Sequence, residues 1–138
     1  MNKFMTILAC ALLAFTNTWA AESIRHEQIE LTQGSKPQKL SGRIKGYETV
    51  EYRLVAPADS VFSLKLKSAN GSANFNVSVE GADEALFIGS RDGNHFKGTA
   101  LTSKSYQVRV YLMRNAARRN ESASYVLEAI VNTPSVVR

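Results

Sequence analysis

The residues equipped for chemistry in this 138-residue chain are few, and their spacing does not assemble them. The two histidines, His26 and His95, lie far apart, and neither has a ligand-type partner at short range. A lone histidine in a β-rich chain is more often a surface or packing residue than a metal ligand. The adjacent carboxylates Asp83-Glu84 carry charge suited to acid–base work, but side by side in a turn they are ordinarily solvated. No serine stands in a nucleophile-elbow sequence, and there is no Gly-rich phosphate loop; Gly71, Gly81 and Gly93 sit among turn formers. The single cysteine, Cys10, falls in the leader described below, so neither a thiol nucleophile nor a thiolate metal site is expected. The chain is not expected to be an enzyme, nor to need a metal or cofactor.

What stands out is cationic. The segment Met113-Arg114-Asn115-Ala116-Ala117-Arg118-Arg119-Asn120-Glu121 is polar and strongly basic. Its bland reading is a solvated loop that discourages aggregation at strand ends. The formal charge of +5 points to an acidic counterpart: an acidic protein cleft, an anionic lipid or a nucleic acid. Arg109, Arg114, Arg118 and Arg119 with Tyr106 and Tyr111 are the ingredients of a single-strand binder. Export and the modest charge argue against a nucleic-acid partner.

Export is read from the first twenty residues. Lys3 gives a basic start, Phe4 to Phe15 is almost wholly apolar, and Thr18-Trp19-Ala20 is a small-x-small cleavage site. That is the layout of a signal peptide over residues 1–20, leaving one domain over 21–138. The apolar run is shorter than the ~20 residues a membrane-spanning helix needs, so no membrane insertion is expected after cleavage. The mature chain then lacks cysteine, and its stability must come from an apolar core.

The elements that must position the basic segment are strands. Apolar residues alternate with polar ones through Val50–Leu54, Phe62–Leu66, Phe75–Val79 and Tyr106–Leu112. Period two marks a strand with one face on a core and one in water. Shorter candidates are Gln28–Leu31, Leu40–Ile44, Leu86–Ile88, Phe96–Leu101 and Tyr125–Val131. Turn chemistry at Ala56–Ser60, Asn70-Gly71 and Arg91–Asn94 reads as closing strand pairs. Gln33–Lys39, with Pro37, reads as a loop, and the tail after Asn132 as fraying. The fold class expected is all-β: an antiparallel β-sandwich of about eight short strands. Near 113–121 a short helical turn or loop is expected, because Ala116 and Ala117 favour a turn and Asn115 and Asn120 suit its ends. Tyr52, Tyr106 and Tyr125 fall on apolar phases and are expected in the core; Arg109 is expected on the solvent side of its strand.

Two segments carry a family resemblance. Ser41-Gly42-Arg43-Ile44-Lys45-Gly46-Tyr47, followed by Tyr52, resembles the Ser-Gly-x-Ile-Lys-Gly-Tyr stretch of the periplasmic inhibitors of g-type lysozyme. Arg109-Val110, then Arg114-Asn115-x-Ala117-Arg118-Arg119-Asn120 and Tyr125, is similar to that family's strand, arginine-rich loop and strand. The likeness runs over roughly Ser41 to Ile130 and departs between about Gly81 and Gly98. It implies a small periplasmic β-sandwich without cofactor that blocks the cleft of a host g-type lysozyme. It also implies contact residues at Tyr47, Arg114 and Arg118, helped by Asn115 and Arg119. Alternatives are an inhibitor of another lysozyme class, or a sugar-binding, cell-wall-binding or envelope-assembly β-sandwich. Such a lysozyme cleft holds carboxylates, and a guanidinium can pair with one bidentately while staying charged at any relevant pH.

Overall fold

The structure is a computed structural model that describes residues 22–30, 36–100 and 102–132. The expected signal peptide, Leu31, Leu101, the first part of the 33–39 loop and the tail after Asn132 lie outside the described residues.

Among the described residues nine strands form two sheets. They are β1 (Ile24–Ile29), β2 (Gln38–Lys45), β3 (Thr49–Ala56), β4 (Ser60–Ser68), β5 (Ala73–Val79), β6 (Ala85–Ile88), β7 (His95–Ala100), β8 (Lys104–Leu112) and β9 (Ser122–Asn132). Two short helical turns, α1 (Gly89–Asp92) and α2 (Arg114–Arg118), complete the set. One sheet has the order β1-β3-β8-β5-β6 and the other β2-β9-β4-β7. The all-β sandwich read from the sequence is therefore the fold.

Three details differ from that reading. The edge strand β1 pairs with β3 in parallel, whereas the remaining pairs are antiparallel. A parallel pair needs a crossover, and β2, lying in the opposite sheet, supplies it. Gln38 and Lys39, expected in a loop, already belong to β2. The turns at 56–60, 70–71 and 91–94 do not close hairpins; each carries the chain from one sheet to the other, and the first half of the last belongs to α1. Among the described residues only β5 and β6 are consecutive strands of one sheet.

The alternation works as expected. Inward residues such as Leu54, Phe62, Leu64, Phe75, Val77, Val108 and Leu127 are buried, and their neighbours along each strand face out. Tyr106, Phe62, Phe96, Phe87 and Phe75 form a chain of tilted and edge-on ring contacts across the two sheets, with centroids 4.8 to 5.6 Å apart. Each fully buried large side chain contributes about 1.5–3 kcal/mol, so this ladder welds the two sheets together. Tyr52 and Tyr125 also meet across the core, through a 2.7 Å hydrogen bond between their hydroxyls. Burial pushes both hydroxyls above the ordinary tyrosine range.

Candidate functional site: a cationic turn beside an exposed tyrosine

The basic segment joins β8, the middle strand of its sheet, to β9, an interior strand of the other, so both layers fix its ends. The first and last links are main-chain bonds. Met113 N–H donates to the Ser72 carbonyl at 2.9 Å, and Ala117 N–H to the Met113 carbonyl at 2.9 Å. Ala116 and Ala117 are buried and seat the turn on the core. A larger side chain at either place would lift it away.

The turn ends on Asn120, whose φ of 54° is left-handed. Asn120 N–H donates to the Ala117 carbonyl (3.0 Å) and Glu121 N–H to the Ala116 carbonyl (3.2 Å). These paired bonds are the Schellman arrangement, and asparagine is the non-glycine residue that best tolerates its left-handed position. The expected helical turn is present and Asn120 closes it, but Asn115 lies inside it; the N-terminal end is Met113, which makes no side-chain cap bond. Arg114, Asn115, Arg118 and Arg119 remain exposed. Four residues apart on a helical turn, Arg114 and Arg118 share a face, opposite the one that Ala116 and Ala117 bury.

Tyr47 stands directly beside this turn. It lies in the connection between β2 and β3, where Glu48 N–H donates to the Lys45 carbonyl (3.1 Å) and Lys45 N–H to Glu48 Oε2 (2.9 Å). Gly46 has a φ of 61°, and its N–H donates to the Glu121 carbonyl at 2.9 Å. A Cβ on Gly46 would come within 2.7 Å of Asn120 Oδ1, so glycine lets the tyrosine's turn abut the cap of α2. Tyr47 itself is 45% exposed and is no core residue. Glu121 stitches the end further: its carboxylate takes Asn70 Nδ2 (3.3 Å) and the guanidinium of Arg119.

Of the five residues predicted from sequence, Tyr47 and Arg114 line one groove of about 500 Å³. Arg118 lies outside it but shares the face of Arg114. Asn115 turns its amide oxygen to the Ala116 N–H (2.8 Å), and Arg119 is engaged by Glu121, so both are partly committed within the chain. Sequence reasoning missed Arg109, Tyr111 and Asn76, which also line the groove. Arg109 faces outward as expected, 48% exposed, but pairs with Glu51 at 2.8 Å beside Tyr47's turn. Tyr111 donates to Asn76 Oδ1 at 3.0 Å. The available signal was phase: Arg109 and Tyr111 share the outward phase of β8, the strand that leads into Arg114. Among the described residues neither Arg114 nor Arg118 meets a carboxylate within ion-pair distance, and no three of His, Cys, Asp or Glu gather as metal ligands would.

Unpaired guanidinium groups and a tyrosine, held on a stitched strand end, are features of the class of small β-scaffolds able to present a preformed surface to another protein. Comparison with known proteins narrows this class. No family model matches the chain. An inhibitor of g-type lysozyme from Escherichia coli (strain K12) is 27% identical over 131 residues, covering 86% of this chain and 88% of that protein. The crystal structure of the periplasmic lysozyme inhibitor of g-type lysozyme from Aeromonas hydrophila superposes with a TM-score of 0.71 at 32% identity, over 81% of this chain and 100% of that one. The Salmonella Typhimurium counterpart shares the fold, with a TM-score of 0.59 at 23% identity over 78% of this chain and 98% of that one. The chain belongs to the family of periplasmic inhibitors of g-type lysozyme. These relatives are inhibitor proteins and not enzymes.

Proposed function

We propose that this protein is a periplasmic inhibitor of g-type lysozyme that occludes the glycan-cleaving cleft of a host enzyme with Arg114, Arg118 and Tyr47. Asn115 and Arg119 support the contact from its margin. Inhibition is steric and electrostatic: the guanidinium groups pair with cleft carboxylates, and Tyr47 adds rigid area at little entropic cost. No step of this needs a cofactor or any chemistry on the inhibitor.

The observation that carries the reading is the shared, unpaired face of Arg114 and Arg118 on a turn already locked by its cap and by Gly46. Because the backbone is ordered in advance, binding has to immobilise only side chains, at about 0.5–1.5 kcal/mol each. Losing one partner of a desolvated charge pair costs about 2–5 kcal/mol, roughly thirty- to several-thousand-fold in affinity. A lysis assay with purified g-, c- and invertebrate-type lysozymes tests this. The protein should protect substrate cells from the g-type enzyme, and Arg114→Ala with Arg118→Ala should abolish protection while leaving the melting temperature unchanged. Full protection by that double variant would move the contact elsewhere. Protection from another lysozyme class alone would reassign the target.

A further inference from the structure

The outward side chains of the β2-β9-β4-β7 sheet are charged almost entirely one way. Lys39, Arg43, Lys45, Lys65, Lys67 and Lys97 all stand exposed on that face, against the single carboxylate of Glu128. Six cations against one carboxylate give this one face a net charge as large as the +5 of the whole chain. The opposite sheet shows how balance looks: its outward Arg53 and Arg109 are paired with Glu80 and Glu51 at 3.0 and 2.8 Å. On the cationic face only Lys67 has a carboxylate partner among the described residues, Glu128 at 2.9 Å. Glu128 is itself surrounded: Lys39 and Lys65 sit opposite it on the two flanking strands. The Lys67 hydrogen bond first, and the charges of Lys39 and Lys65 with it, hold its carboxyl below the usual range.

From this distribution we infer that the face of the β2-β9-β4-β7 sheet is a docking surface for an anionic phospholipid membrane. The charges are mostly lysines, compact point charges on flexible stems, which suit diffuse negative charge better than the planar fork of arginine. No aromatic side chain faces outward there among the described residues, so the face lacks the stacking platforms that sugars and single-stranded bases require. A hollow of about 700 Å³ over Ser41, Gly42, Ser124 and Val126 lies open to solvent on this face. A membrane matches a flat, laterally extended array of cations, and the periplasm is bounded by membranes. Docking through a sheet face leaves the strand end that bears Tyr47 and α2 open, so the membrane contact and the lysozyme contact are separable.

Sedimentation of the purified protein with phosphatidylglycerol-rich vesicles and with phosphatidylcholine vesicles at low salt tests the inference. The protein should pellet with the first and stay in solution with the second. Raising salt to about 1 M, where the Debye length is ~3 Å, should release it. Each basic residue near an anionic surface is worth about fivefold in partition, so Lys65→Gln with Lys97→Gln should lower it about 25-fold. Lys39→Gln with Arg43→Gln, on the other edge of the face, should do the same. Both double variants should still inhibit g-type lysozyme, which shows that they are folded. Equal pelleting with both vesicle types, or undiminished pelleting of both variants, would overturn the inference. So would capture of a single-stranded oligonucleotide as tight as that of the vesicles.

Discussion

Two stretches sit side by side at one end of the sandwich and divide its work between them. In Ser41–Tyr47, three residues hold the molecule together. Gly42 leaves room for the Tyr125 ring, since a Cβ there would lie 2.3 Å from the Tyr125 hydroxyl. Ile44 is fully buried, and Gly46 supplies the left-handed turn against the cap of α2. Tyr47 alone of this stretch lines the groove beside α2 with its side chain offered outward. Met113–Glu121 is the reverse: two alanines face in, and the arginines face out. The lesson is that likeness along a stretch of sequence does not make the whole stretch a contact surface. Most of the first segment matters because it places one tyrosine and anchors the second segment.

The split can be broken by substitution. Gly42→Val should be the most damaging, at about 3 kcal/mol, the upper end for overpacking, because the obstacle is the stem of a buried ring and its bonded hydroxyl. Urea denaturation would read it as a lower midpoint, with the folded fraction still inhibiting lysozyme. A loss below about 1 kcal/mol would mean that Tyr125 moves aside freely and that Gly42 has no structural claim. Gly46→Ala should cost about 1–2 kcal/mol from the left-handed backbone, with Asn120 pushed away besides. Unlike Gly42→Val, it should also weaken inhibition by the folded molecules, since it disturbs the seam between Tyr47 and α2. Titration of lysozyme with each variant, corrected for folded fraction, separates the two.

How far the sequence foretold these regions follows from what period and composition encode. Alternation in β3, β4, β5 and β8 was legible because each has one face on the core and one in water. The edge strand β1 was placed too late, at Gln28–Leu31, because only Ile29 of its six residues is buried and no alternation exists to find it. Turn residues at 56–60, 70–71 and 91–94 announced reversals, but their chemistry does not say whether the chain re-enters its own sheet or the opposite one. The α2 turn was legible from its alanines and from Asn120 beyond its end, whereas Asn115, read as the other end, lies within it. The groove was not: Arg109 and Asn76 reach it from neighbouring strands far apart in sequence, and strand phase says only that a side chain faces out, not what stands next to it.

The buried tyrosine pair offers a gentler test of the scaffold half of the comparison. An ordinary tyrosine ionises near ~10. Burial holds Tyr52 and Tyr125 above that, so beyond about pH 10 the unfolded chain loses protons that the folded chain keeps. Their contribution is therefore level through neutral pH and falls as pH rises further. Tyr52→Phe should cost about 1 kcal/mol at neutral pH, for one hydrogen bond, and should flatten the alkaline loss. Urea midpoints at neutral pH and at about pH 11 measure both effects; an alkaline slope identical to that of the parent would show that other groups cause it.

The smallest effect should come from Arg119, and it bears on the contact half. Its guanidinium pairs with Glu121 on the surface, so Arg119→Ala should change stability by about 0.5 kcal/mol or less. Glu121 would keep its place meanwhile, through its main-chain bonds to Ala116 and Gly46 and the Asn70 amide. On inhibition the substitution should act by only a few-fold, because this arginine must leave a partner in its own chain before it can serve one in a lysozyme. Arg114 and Arg118 have no such prior tie. An Arg119→Ala loss as large as that of Arg118→Ala would mean that the Glu121 pair opens on binding and that the contact surface wraps around α2 beyond the face shared by Arg114 and Arg118.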